Sequence, residues 1–111
     1  MATDHKDKDI VITSAVRTAI GTFRGSLKDM QAKDLGALVT KSAMNNSNLN
    51  STDVDELIMG QVLTSATGQN PARQAAIHAG LPKEKPAYLI NQVFTFLIIL
   101  SKDSTELMCL N

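Results

Sequence analysis

Three short runs of apolar and β-branched residues, separated by segments of helical character, constrain the fold of this chain more than any other feature. The runs are DIVITS at 9–14, ELIMG at 56–60 and PAYLIN at 86–91. Continuous apolar runs of this length are typical of strands in the sheet of a layered α/β protein. Strands that alternate with helices favour parallel pairing, because the helix returns the chain to the starting end of the sheet. The sequence therefore predicts an α/β fold with a mixed, partly parallel sheet and helices on its faces.

Two helices are predicted between these runs, and the second has the clearer boundaries. From Ala32 onward, apolar residues recur at helical spacing until the turn-rich segment NNSNLN at 45–50. Asn70 is expected to cap the second helix, with Pro71 at its first position, where the missing N–H has no cost. Gly80 is expected to end that helix, since glycine readily adopts the left-handed backbone found at helix C-termini.

The composition and the N-terminal sequence limit which partners and which cellular location are expected. Eleven basic residues balance eleven acidic ones, so no net charge attracts nucleic acid or an anionic membrane. A single cysteine, Cys109, cannot form an internal disulfide, and the two histidines, His5 and His78, are not at metal-ligand spacing from it, so no metal site is predicted. The N-terminus has no signal-peptide pattern, and the apolar run at 94–100 is far short of the roughly 20 residues that span a bilayer. We therefore expect a cytoplasmic chain without nucleic-acid or membrane partners.

Five segments together resemble one protein family. They are SAVRTAIGTFRGSLKD at 14–29, AKDLGAL at 32–38, DVDELIMGQVL at 53–63, GQNPARQAAIHAGLP at 68–82 and INQV at 90–93. In this order they resemble the start of the thiolases, in particular the acetyl-CoA acetyltransferases that join or split acetoacetyl-CoA. The resemblance implies that residues 1–93 are an incomplete N-terminal thiolase-like layered α/β domain with a mixed sheet, followed by an unrelated tail at 94–111.

The resemblance also implies the chemistry that the family performs. Thiolases use coenzyme A thioesters as substrates, need no further cofactor, and assemble as homo-oligomers. Their nucleophile is a cysteine in a Cys-Gly-Ser-Gly type sequence that directly follows the Asn-x-Val step, at the start of a helix. A helix N-terminus stabilises the thiolate that attacks the thioester. The family's histidine, asparagine and second catalytic cysteine lie far toward the C-terminus of a longer chain.

Phe94 occupies the position of the family's nucleophilic cysteine in this sequence. A phenyl ring offers no nucleophile and no titratable proton, so it cannot carry an acyl group. No residue of this chain is therefore predicted to be catalytic. The first hypothesis is an N-terminal fragment of a thiolase-like acetyl-CoA C-acetyltransferase, inactive alone, whose family reaction is the Claisen condensation of acetyl-CoA or its reverse.

The second hypothesis is a non-catalytic interaction module that docks on full-length thiolase subunits through residues 86–91 and the segment GQNPAR. This segment resembles a region of thiolases that lies close to the subunit interface and the active-site entrance. The interface candidates are therefore Gln69, Asn70 and Arg73. The competing interpretation is structural: Asn70 as a helix cap and Arg73 in a surface salt bridge. Both interpretations stay open at this point.

Other charged and reactive residues receive structural interpretations. Arg17, Arg24 and Lys28 could contact phosphate groups, but solvated loop charges are favoured because no phosphate-binding fingerprint is present. His78 is interpreted as structural, since a catalytic base also needs a partner and a proton to move. Cys109 is the third residue from the C-terminal end of the sequence and is interpreted as an inert thiol.

The tail is expected to lower solubility. The window VFTFLIIL at 93–100 combines high β-propensity with no charge and no proline, which is the signature of an aggregation-prone segment. The three predicted strands would also leave sheet edges with unpaired N–H and C=O groups. From the sequence, we expect a chain that is marginally stable, oligomeric or aggregated.

Overall fold

A mixed four-stranded sheet and two helices form the described part of the chain. The computed structural model describes residues 11–91, 98–102 and 106–110, the last two ranges as backbone only. The elements are α1 (Ala32–Asn46), a 3-10 turn (Ser51–Asp53), β1 (Glu56–Gly60), α2 (Pro71–His78), β2 (Ala87–Ile90), β3 (Ile98–Lys102) and β4 (Glu106–Leu110). The strand order is β2-β1-β3-β4. The predicted α/β class and mixed sheet are confirmed.

Strand β1 is bonded on both sides, to a parallel neighbour and to an antiparallel one. Toward β2, the Leu57 N–H donates to the Pro86 carbonyl at 3.0 Å, and the Gln61 N–H donates to the Ile90 carbonyl at 3.1 Å. Backbone groups alternate in direction along a strand, so those of Ile58 point the other way, toward β3. The parallel pair carries the carboxyl ends of β1 and β2 to the same edge of the sheet.

The hydrophobic core lies between the helices and one face of this sheet. Leu57 and Met59 of β1 are buried, whereas Ile58 between them is only half-buried. Both helices contribute to the cluster that contains Leu57 and Met59, so both cover that face. The buried cluster consists of Val39, Ala43, Met44, Val54, Leu57, Met59, Ala72, Ala75, Ala76 and Leu81. Three of the cluster's alanines, Ala72, Ala75 and Ala76, are on α2 and let it approach the sheet closely.

Local chemistry sets the helix ends where the sequence placed them. At the start of α1, the Gln31 N–H donates to the Asp34 carboxylate at 3.3 Å, which supplies a partner for an otherwise free N–H group. The helix ends at Asn46, inside the turn-rich segment. After α2, Gly80 has φ of +90° and its N–H donates to the Ile77 carbonyl at 3.0 Å. The predicted ends of both helices are confirmed.

The predicted strand at 9–14 is wrong over residues 12–14, which belong to no strand, and Val11 makes only a single bridge. Residues 9 and 10 of that prediction lie outside the described residues. Val11 is 43% exposed and Ile12 is 62% exposed, although both were expected to be buried in the sheet. Residues 12–14 do not pair with β1 because both of its edges already have neighbours, β2 on one side and β3 on the other.

Leu57→Ala tests the importance of the core beneath β1. Leu57 is 0% exposed, and removing such a side chain costs its transfer free energy together with the cavity that remains. We expect the free energy of unfolding to fall by about 2–5 kcal/mol, measured by urea denaturation with circular dichroism. The matched control is Leu63→Ala at an exposed position, which should change it by less than about 0.5 kcal/mol. Equal effects of the two substitutions would contradict this placement of the core.

Candidate functional site

The start of α2 brings the three interface candidates together, and Asn70 is the residue on which the arrangement depends. Its Oδ1 accepts a hydrogen bond from the Arg73 N–H at 3.0 Å, and its Nδ2 donates to the Ala87 carbonyl at 3.0 Å. Because the Pro86 carbonyl bonds to β1, the carbonyl of Ala87 points to the outer edge of β2. One amide side chain thus caps a helix and also covers part of a sheet edge.

The backbone of Asn70 explains why an asparagine suits this position. Its φ is +42° and its ψ is +77°, in the left-handed region that asparagine tolerates better than most residues. The cap that the sequence predicted is confirmed. The bond to β2 was not predicted, because it depends on where the chain returns after α2.

Arg73 has a structural role in addition to any contact with a partner. Its Nη1 donates to the Lys85 carbonyl at 2.7 Å, and its Nη2 donates to the Lys83 carbonyl. The guanidinium group therefore ties the first turn of α2 to the connection that leads into β2. The sequence interpretation as a surface salt bridge differs from this geometry, since the partners found here are backbone carbonyls. Arginine suits the task because its planar fork presents several N–H donors in fixed directions.

The loop before α2 is held by Gln74, which the sequence analysis did not single out. Its Nε2 donates to the Thr67 carbonyl at 3.0 Å and to the Gln69 carbonyl at 2.8 Å. Gly68 between them has φ of +79°, and a Cβ at this residue would lie 3.0 Å from Gln74 Nε2. The glycine therefore permits both the backbone turn and the close approach of the amide. The side chain of Gln69 is exposed beside this loop, and its interface role stays a prediction.

The carboxyl edge shared by β1 and β2 is the place where α/β proteins commonly bind ligands. Gln61 lies there, directly after β1. Its side chain is buried, its Nε2 donates to the Leu63 carbonyl at 2.8 Å, and its Oε1 has no hydrogen-bond partner among the described residues. A buried amide oxygen without a partner calls for an explanation. The sequence signal that could have found Gln61 is a polar residue directly after a buried strand.

Phe94 lies outside the described residues, and it follows the end of β2 by only four positions in the sequence. The chain therefore leaves the carboxyl edge, next to Gln61, shortly before it reaches this residue. Cys109 is on β4, opposite Ile99 of β3. Two strand spacings, roughly 10 Å, separate β4 from β1. The only cysteine of the sequence is thus on the side of β1 that lies away from β2.

Of the remaining charged candidates, Arg24 and Lys28 lie in turns, Arg17 lies in an exposed irregular segment, and His78 ends α2. The Gly25 N–H donates to the Thr22 carbonyl at 2.8 Å, and the Arg24 guanidinium lies 5.5 Å from the Phe23 ring centroid. His78 Nδ1 lies 3.8 Å from Asp34 Oδ1, and both side chains are half exposed, so this contact connects the end of α2 with the start of α1.

Two further properties concern only the described residues. They contain no cluster of three or more histidine, cysteine or acidic residues that could hold a metal ion. Neither helix in these ranges is long and apolar enough to cross a membrane.

Three substitutions of Asn70 separate its functions. Asn70→Asp keeps the oxygen that accepts from Arg73 and loses the donor to Ala87, whereas Asn70→Gly tolerates the positive φ and loses both hydrogen bonds. Asn70→Ala loses both bonds and also strains the backbone. We expect unfolding free energies to fall in the order Asp, Gly, Ala, with Ala lower than wild type by about 2 kcal/mol. Urea denaturation measures the series, and an Ala variant as stable as the Asp variant would contradict it.

The comparisons with known proteins agree with this geometry. Residues 10–95 match the model of the thiolase N-terminal domain. The acetyl-CoA acetyltransferase of Cupriavidus necator is 56% identical over 85 residues, covering 77% of this chain and 22% of the relative. That of Pseudomonas aeruginosa is 52% identical over 86 residues, covering 78% and 22%. The crystal structure of Acat5 thiolase from Ascaris suum in complex with coenzyme A has a TM-score of 0.75 and 46% identity, covering 77% and 22%.

The chain spans about a fifth of the length of these relatives. The match contains the whole described site at the start of α2, the shared carboxyl edge and the position of Phe94. The resemblance seen in the sequence is confirmed, and the chain belongs to the thiolase family, its matched residues forming an incomplete N-terminal domain of that family.

Proposed function

We propose that this chain is an N-terminal part of a thiolase-like acetyl-CoA C-acetyltransferase and does not transfer acyl groups by itself. The observation that carries the proposal is Phe94, at the position where the family resemblance requires the nucleophilic cysteine. The relatives named acetyl-CoA acetyltransferases support the reaction class, and the coenzyme A complex of the Ascaris suum thiolase supports an acyl-CoA substrate for the complete enzyme.

The chemistry explains why this single position matters. In acyl transfer, a thiolate attacks the carbonyl carbon of the thioester, and the resulting tetrahedral intermediate expels the thiolate of coenzyme A. The acyl group then sits on the enzyme until an acceptor carbon attacks it. Oxyanion donors and an acid/base group stabilise these steps but cannot replace the nucleophile. The phenyl ring of Phe94 has no lone pair with which to begin.

The described residues supply a scaffold for such a site. The parallel pair β1 and β2 fixes the carboxyl edge, and Gln61 places a buried amide there. Asn70 holds the start of α2 against β2, and Arg73 holds the first turn of α2 against the connection that leads into β2. In this proposal the chain supports the shape of the acyl-CoA site without performing the covalent step.

Acetylation of the purified chain tests this proposal. After incubation with acetyl-CoA or acetoacetyl-CoA at neutral pH, intact-mass spectrometry should detect no acetyl adduct, because position 94 has no thiol. The Cupriavidus necator enzyme, treated in parallel, is the positive control. A stoichiometric adduct that disappears in Cys109→Ser would contradict the proposal, since Cys109 would then act as the acyl carrier.

The second candidate function is an interaction module for thiolase subunits, and the geometry of β2 favours it. Tyr88 and Ile90 bond toward β1, so the backbone N–H and C=O of Leu89 point to the outer edge. Asn70 covers the Ala87 carbonyl on that edge and leaves the groups of Leu89 to other partners. Strand addition at such an edge is a recurring mode of recognition. Leu63, which is 85% exposed, and the exposed Gln69 lie on the loop that leads to Asn70.

Co-purification with a tagged, full-length Cupriavidus necator acetyltransferase tests the interaction module. If the loop before α2 joins the interface, Leu63→Asp should reduce the captured fraction about tenfold, since a buried charge replaces an apolar contact. The matched control is Leu38→Asp on α1, where the leucine is 57% exposed, and capture should be unchanged. No capture of the wild-type chain, or equal losses in both variants, would contradict docking through this surface.

A further inference from the structure

We propose that β3 and β4, here called the tail hairpin, form an intramolecular cap that occupies the edge of β1 in competition with residues 11–14. The inference concerns a conformational device within the chain, and it does not depend on the acyl-transfer proposal. It starts from two observations that the sequence did not predict. β3 of the tail pairs with β1, and residues 12–14 of the first apolar run belong to no strand.

The backbone register defines the cap. β3 runs antiparallel to β1, with Glu56 opposite Ser101 and Ile58 opposite Ile99. The outward backbone groups of β1 therefore have partners. On its other side β3 pairs with β4 over its full length, from Ile98↔Leu110 to Lys102↔Glu106. Residues 98–100 of the predicted aggregation-prone window thus lie in a strand with a neighbour on each side, which removes the open edge that drives wrong pairing.

The segment at 11–14 has the composition of a strand, and apart from a single bridge at Val11 it belongs to no strand and lies beside the core. Thr13 Oγ1 is 3.3 Å from Ser47 Oγ at the end of α1, Ser14 is buried, and Val16 packs against the core cluster. Val11 and Ile12 nevertheless remain exposed. A β-branched apolar pair that is held next to the core but left in solvent would gain from burial in the sheet.

The two segments exclude each other at β1. A strand has two edges, and β2 occupies one of them through the parallel ladder. The other edge can accept the tail hairpin or residues 11–14, but not both. Replacing the tail hairpin by residues 11–14 would exchange one set of backbone hydrogen bonds for another. The free-energy difference between the two arrangements therefore depends on apolar burial and chain entropy. The hairpin has the advantage of a second partner strand, since β4 already pairs with β3.

Disulfide trapping in the full-length chain tests the register of the cap. In a Cys109→Ser background, Ile58→Cys with Ile99→Cys should form a disulfide under mild oxidation. Directly opposed residues of an antiparallel pair have Cα atoms about 4.5–5.5 Å apart, within the range that disulfides bridge. The control pair, Ile58→Cys with Lys102→Cys, is three residues out of register and should stay reduced. Equal oxidation of both pairs, or of neither, would overturn the proposed cap.

Hydrogen exchange of the full-length chain tests the competition. Ile99→Pro removes an N–H that faces β1 and disrupts the ladder, whereas Ile99→Val keeps the backbone and is the matched control. In Ile99→Pro we expect the amides of residues 11–14 to gain about tenfold or more protection, while those of β1 stay protected. Ile99→Val should exchange like wild type. Unprotected amides at 11–14 in Ile99→Pro, with or without loss of protection in β1 and the helices, would overturn the proposal.

Discussion

The double pairing of β1 is the constraint on which the rest of the structure depends. Its backbone bonds to β2 on one side and to β3 on the other, while Leu57 and Met59 enter the core on one face. A strand in this position is fixed in register from both sides, because a shift by one residue would turn the buried side chains outward. The helices, the carboxyl edge and the site at the start of α2 are all placed relative to this strand.

Features set by neighbouring residues could be predicted from the sequence. The cap at Asn70, the end of α2 at Gly80 and the buried strand around Leu57 each rest on chemistry within a few positions. The strand predicted at 9–14, which is wrong over residues 12–14, has equally good local chemistry. Its local chemistry could not predict the outcome, because segments far apart in the sequence compete to pair with β1.

The candidate site shows the same division between local and distant information. Sequence and resemblance singled out Asn70 and Arg73, yet their partners at Ala87, Lys83 and Lys85 could not be derived before the path of the chain after α2 was known. An interface residue and a structural clamp have the same signature in a sequence, namely a polar side chain near a helix N-terminus. Only the bonds to backbone carbonyls separate the two functions, and one residue can serve both.

The outer edges of β1 and β2 differ in how their backbone groups are bonded, and this difference determines where a partner strand could bind. The edge of β1 is closed by a ladder of backbone hydrogen bonds to β3, which a partner strand would have to displace as a unit. The edge of β2 is covered by one amide at Ala87, and the groups of Leu89 point outward beyond it. A partner strand could pair there while the fold stays intact, because the bonds between β1 and β2 are on the other side of the strand. We therefore expect strand addition at β2 and conformational exchange at β1.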